Sequence, residues 1–105
     1  MATNRLEILQ GMLAQDPQNS FARYGLATEY ASTGALREAM EEFHKLLAAD
    51  PEYVAAYYHG GRTLERLGRL QDAKALYERG LEACTRAGDS HTYSEIEGAL
   101  SALPL

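Results

Sequence analysis

The chain has 105 residues, the length of one ordinary domain, and leaves no room for a second independent core. Its 46% hydrophobic and 24% charged residues exclude a disordered tail, and a net charge of -5 makes nucleic acid an unsuitable partner, because many phosphates would have to be neutralised. The single cysteine, Cys84, rules out an internal disulfide and a multi-cysteine zinc site, and points weakly to a reducing compartment.

From the N-terminus, Met1 to Arg5 is followed by Glu7 and Gln10 rather than by an apolar leader. No stretch approaches the roughly 18 apolar residues of a membrane span, so the expectation is a cytoplasmic protein with no membrane partner. Residues 4–14 place Leu6, Leu9, Met12 and Leu13 at helical spacing, with Asn4 and Glu7 spaced as a capping box. In residues 20–33, Leu26, Ala27 and Tyr30 continue the pattern until Thr33-Gly34 stops it. Residues 36–49 restart it with Leu36, Ala39, Phe43, Leu46 and Leu47. Asp50-Pro51 closes that helix, since proline disfavours helical dihedrals in the preceding residue and has no amide hydrogen. Residues 54–67 carry Tyr57, Gly61, Leu64 and Leu67 before a stop at Gly68, and residues 70–86 carry Leu70, Ala73, Tyr77, Leu81 and Cys84. After Gly88 and an Asp89-Ser90 cap, Tyr93, Ile96, Leu100 and Leu103 form one apolar stripe over residues 90–103.

These elements repeat. Asp16-Pro17 returns as Asp50-Pro51, 34 residues on, and Tyr24 with Tyr58, Gly34 with Gly68, Leu36 with Leu70, Ala39 with Ala73, Phe43 with Tyr77 and Leu47 with Leu81 share that offset. Residues 20–53, with Leu26, Ala27, Tyr30, Ala39, Phe43 and Pro51, and residues 54–87, with Tyr57, Gly61, Leu64, Ala73 and Tyr77, resemble the tetratricopeptide repeat family. Arg23 departs from the pattern at the first unit's aromatic position, and the second unit departs from it at Gly60, where the family's usual leucine is missing, and at Thr85. The resemblance implies an all-α fold, a short right-handed solenoid of about six stacked antiparallel helices. Residues 4–14 then read as a half repeat, 20–53 and 54–87 as full repeats, and 90–103 as a capping helix, with Glu97 at a small position left open to solvent. Ala27 with Ala39, and Gly61 with Ala73, are expected where the helices of each unit cross closely.

Chemistry is sparse in this sequence. His44, His59 and His91 lack metal-ligand spacing, Gly60-Gly61 is no phosphate loop, and Cys84 falls on an apolar phase, so neither an enzyme, a cofactor nor a metal is expected. The acidic Glu38, Glu41 and Glu42 read as a solvated outer face, with Glu41 spaced to pair with Lys45. Beside the core-facing stripe of the fourth helix runs a second one, Tyr58, Arg62, Glu65 and Arg66, matched in the second helix by Phe21, Tyr24, Thr28 and Ser32.

By resemblance these stripes line a concave groove that holds a protein or peptide partner, with Phe21, Tyr24, Thr28, Tyr58, His59, Arg62 and Arg66 as its candidate residues. For Phe21 and Tyr24, packing on the N-terminal helix to compensate for Arg23 is an equal alternative. The clamp with which some family members hold C-terminal carboxylates is absent, since its positions carry Tyr24, Thr28, His59, His91 and Glu95. The expected function is a non-enzymatic interaction module. The alternative is a self-associating scaffold subunit, a homo-oligomer joined through exposed N-terminal residues such as Ile8 and Met12. At Gly60 the sequence allows two outcomes: a neighbour such as Tyr57 or Tyr93 fills the missing side chain's space, or a small hole remains.

Overall fold

The computed structural model describes residues 4–105, so Met1 to Thr3 of the expected N-terminal reading lie outside the described residues. Six helices follow one another: α1 (Arg5–Gln15), α2 (Ser20–Ser32), α3 (Leu36–Ala49), α4 (Val54–Arg66), α5 (Leu70–Ala87) and α6 (Ser90–Ser101). Among the described residues there is no strand. The described residues measure 42 × 28 × 21 Å. Helices α2 and α3 form one closely packed pair and α4 and α5 another, with α1 against α2 at one end and α6 against α5 and α4 at the other.

Local chemistry sets the helix ends. Asn4, Asn19 and Asp89 each accept a hydrogen bond from a first-turn amide, at 2.8, 3.0 and 2.9 Å. Asn4 bonds the Leu6 amide and not that of Glu7, which the capping box requires. At the turns after α2 and α4, Gly34 and Gly68 take φ of 87° and 76°, in the left-handed region where a side chain is strained. Those turns let the Ala35 amide reach the Tyr30 carbonyl, and the Arg69 amide the Leu64 carbonyl, each at 2.9 Å, so one carbonyl in the last turn of each helix is satisfied.

The core is two clusters. The larger is built on Phe43, Leu46, Tyr57, Leu64, Leu76, Tyr77, Cys84 and Ile96, and runs from α2 to α6. A smaller one consists of Leu9, Ala22 and Leu26, with half-buried Leu6, Leu13 and Tyr30 packed on it, and it ties α1 to α2 together with the Arg5–Glu29 ion pair at 3.4 Å and a hydrogen bond from Gln10 to the Tyr30 hydroxyl at 3.3 Å. Ala27, Ala39 and Ala73 are fully buried. Gly61 belongs to a different contact: a Cβ there would enter the ring of Tyr77. Gly60 is also filled, but by Leu76, whose Cδ2 lies 2.9 Å from where a Cβ would stand, and by Phe43 at 3.7 Å, not by Tyr57 or Tyr93. Gly80, unremarked in the sequence, allows α5 to approach Tyr57 of α4 and Ile96 of α6, both within 3 Å of a notional Cβ.

Arg23 has a structural explanation. Tyr57, at the same repeat position 34 residues later, donates its hydroxyl to the carbonyl of Pro51 at 2.7 Å. Arg23 reaches the matching carbonyl, that of Pro17, from Nη2 at 3.2 Å, and its Nη1 pairs with Glu42 at 2.6 Å. The arginine therefore keeps the bond that an aromatic hydroxyl makes in the second unit. Glu42, not Glu41, also takes Lys45, at 3.5 Å.

Candidate functional site

The site is built from α2 and α4, which lie side by side, with α6 next to α4. An aromatic chain crosses the first two. The Tyr24 ring lies 5.1 Å from that of Tyr53 and 5.8 Å from His59, and His59 lies 5.1 Å from Tyr58, the last two contacts edge-on. Tyr24 thus turns towards α4 rather than onto α1, and Arg23 is compensated by Glu42. Phe21 stands 70% exposed at the start of α2.

Burial raises the Tyr24 hydroxyl's pKa, with smaller contributions from Tyr53 and the Glu95 carboxylate of α6. For His59, packing of the ring lowers the imidazole's pKa, against the opposing pull of Glu95. Glu95 is exposed and lies 3.8 Å from His91, so α6 adds polar groups to this face.

Beyond the rings the face becomes cationic. Arg62 donates to the Tyr58 hydroxyl at 3.3 Å, its guanidinium lies 6.0 Å from the Tyr58 ring centre, and its Nε is 3.8 Å from Glu65. Arg66 donates to the Ala31 carbonyl at 2.8 Å, so it bridges from α4 to the last turn of α2, where a cation is favoured. Thr28 donates to the Gly25 carbonyl of its own helix at 3.0 Å. Between these residues is an open depression of about 300 Å³ lined by Thr28, Ala31, His59, Arg62, Thr63 and Arg66.

A contact from the core reaches the same place. Tyr77, fully buried on α5, donates its hydroxyl in a short hydrogen bond to Glu65. Burial, reinforced by that bond and by the Glu65 charge, pushes the phenol's pKa far up. Sequence reasoning missed this link and missed Tyr53. The available signals were that Tyr77 replaces the phenylalanine of the first unit, and that Tyr53 directly precedes α4.

Of the seven residues expected at the groove, Tyr24, Tyr58 and His59 join the aromatic chain, and His59, Thr28, Arg62 and Arg66 line the depression. Phe21 stands apart at the end of α2. Among the described residues no group of three or more His, Cys, Asp or Glu could hold a metal ion, and no helix is long and apolar enough to cross a membrane.

A family model described as tetratricopeptide repeat matches residues 30–83. The TPR repeat-containing protein PA0015 of Pseudomonas aeruginosa is 30% identical over 91 residues, 87% of either chain. The chain belongs to the tetratricopeptide repeat family. Its fold agrees with that of protein BPP2914 from Bordetella parapertussis, a solution structure 30% identical that superposes with a TM-score of 0.85 over 97% of this chain and 89% of the other. PcrH, in a crystal structure with the chaperone binding region of PopD, superposes with a TM-score of 0.87 over 93% of this chain and 74% of its own, at 16% identity, a likeness of fold. As a tetratricopeptide repeat protein the chain is an all-α solenoid, and of the residues on this face Tyr24 and Thr28 lie on α2 and Tyr58, His59, Arg62 and Arg66 on α4.

Proposed function

We propose that the chain is a non-enzymatic interaction module, two full repeats with flanking half repeats, that holds a segment of a partner protein on the face formed by α2, α4 and α6. The observation that carries this reading is the shelf of Tyr53, Tyr24, His59 and Tyr58 running into an open, arginine-lined depression. Aromatic rings and arginines are the residue types that dominate interface energetics. PcrH supports it by showing that the fold accommodates a partner's segment. Cytoplasmic residence belongs to the same proposal, supported by a buried free thiol at Cys84.

Affinity capture from the native cell tests the reading. Tyr58→Ala or Tyr24→Ala should reduce partner recovery more than about tenfold, while Glu41→Ala on the outer face leaves it unchanged. Loss with Glu41→Ala and retention with both tyrosine variants would move the binding surface to the outside.

A second reading, self-association, is favoured by one observation: Ile8 and Met12 are 48% and 38% exposed at the N-terminal end. Light scattering distinguishes it, a concentration-independent monomer removing self-association as the function.

A further inference from the structure

We infer that the depression between α2 and α4 recognises a carboxylate side chain of the bound segment, seated between Arg62 and Arg66; this rests on the reading that this face holds a partner. Its lining contains two guanidinium groups, an imidazole and two hydroxyls, and no carboxylate, in a chain whose net charge is -5. Each arginine carries five N–H donors, and few are used. Arg66 spends one on the Ala31 carbonyl, and Arg62 one on the Tyr58 hydroxyl at 3.3 Å. These contacts hold both side chains in place without consuming them. A planar guanidinium fixed in this way matches a carboxylate with two parallel hydrogen bonds.

Glu65 is the obvious competitor, and the structure holds it back. The Glu65 Oε2 that faces Arg62 lies 3.8 Å from its Nε, beyond hydrogen-bond length, and the same oxygen accepts the Tyr77 hydroxyl. Tyr77 is a positioning residue here: it draws the carboxylate towards the core and leaves Arg62 turned to the depression. The first unit has none of this, since the positions 34 residues earlier hold Phe43, Ala31, Thr28 and Ser32. The adjoining rings of Tyr58, His59 and Tyr24 give the ligand its second feature, an apolar or aromatic residue next to the acid.

The probes are three capped, dye-labelled hexapeptides, Ala-Phe-Glu-Phe-Ala-Ala and its glutamine and lysine counterparts, titrated against the whole chain by fluorescence anisotropy, with backbone amide shifts recorded in parallel. The glutamate peptide should bind at least about tenfold more tightly than the glutamine peptide, and the preference should shrink as salt rises from about 0.05 to 0.5 M. Arg62→Ala should abolish the preference. Arg66→Gln, which keeps a donor for Ala31, should reduce it with the fold intact by circular dichroism. Glu65→Gln should strengthen glutamate binding, because it removes the competing charge, a result that a purely structural Glu65 would not give. Equal affinity for glutamate and glutamine, or no glutamate binding at millimolar peptide, overturns the carboxylate site. If the two bind equally and shift amides of α2 and α4, the interaction face survives that loss; shifts confined to the outer sides of α3 and α5 overturn both.

Discussion

Arg23 shows how one residue can break a repeat's pattern and keep its geometry. Its bond to Pro17 reproduces that of Tyr57 to Pro51, but at the cost of bringing a charge into a half-buried site, which Glu42 neutralises. Arg23→Ala should therefore lose about 1–3 kcal/mol in urea melts, since it leaves Glu42, whose side chain is only 13% exposed, short of its strongest partner. The double variant Arg23→Ala with Glu42→Ala should recover part of that loss. His59 yields a pH prediction. Desolvation by its neighbours lowers its folded pKa, so the fold takes up the imidazole's proton at a lower pH than the unfolded chain, which takes it up at about 6.5. Its stabilising contribution is complete above that pH and is lost as the pH falls below it. Denaturation midpoints of the native chain and of His59→Gln, compared between about pH 7 and 5, should show the steeper decline in the native chain.

At the scale of helices, the crossings decide which positions tolerate bulk. Ala39→Leu and Ala73→Leu should each cost about 1–3 kcal/mol by thermal denaturation, because both sites are fully enclosed. Gly60→Leu should destabilise by a similar amount, since its side chain would have to displace Leu76. Gly60→Ala should be close to neutral: a gain in helix propensity of about 1 kcal/mol is offset by moving one leucine methyl. Asn19→Ala should lose about 1 kcal/mol with the cap on Ala22.

The helices themselves were legible because the 34-residue offset aligns Asp-Pro, glycine and alanine positions whose roles are local: turn, stop and close approach. The contents of the Gly60 space and the reach of Tyr77 to Glu65 were not, because both depend on how side chains of the neighbouring helices interlock, which spacing along one helix does not give. The second stripe on α4 was readable from periodicity alone. Which of its members point at one another was not, for periodicity gives direction along one helix and says nothing about the ring of Tyr53 entering from a loop.

Over the whole molecule, each helix pair leans mainly on its neighbours, and stability is a sum of local interfaces. The two core clusters give that sum an uneven distribution. The helices from α2 to α6 share one continuous interior, whereas α1 is fastened through Leu9 on a three-residue cluster, with half-buried Leu6 and Leu13 beside it. Detachment of α1 exposes far less apolar surface than opening anything in the larger cluster, so it is the cheapest excursion open to the chain. Native-state hydrogen exchange should show amides of α1 exchanging well before those of α4 and α5, with a weaker dependence on denaturant that marks a partial opening. During each such excursion Ala22 and Leu26 lose their cover, and α2, which carries Tyr24 and Thr28, becomes the end of the stack. A ligand that braces α2 against α4 would then slow exchange in α1 as well, so the protection of that helix is a remote gauge of occupancy at the other side of α2.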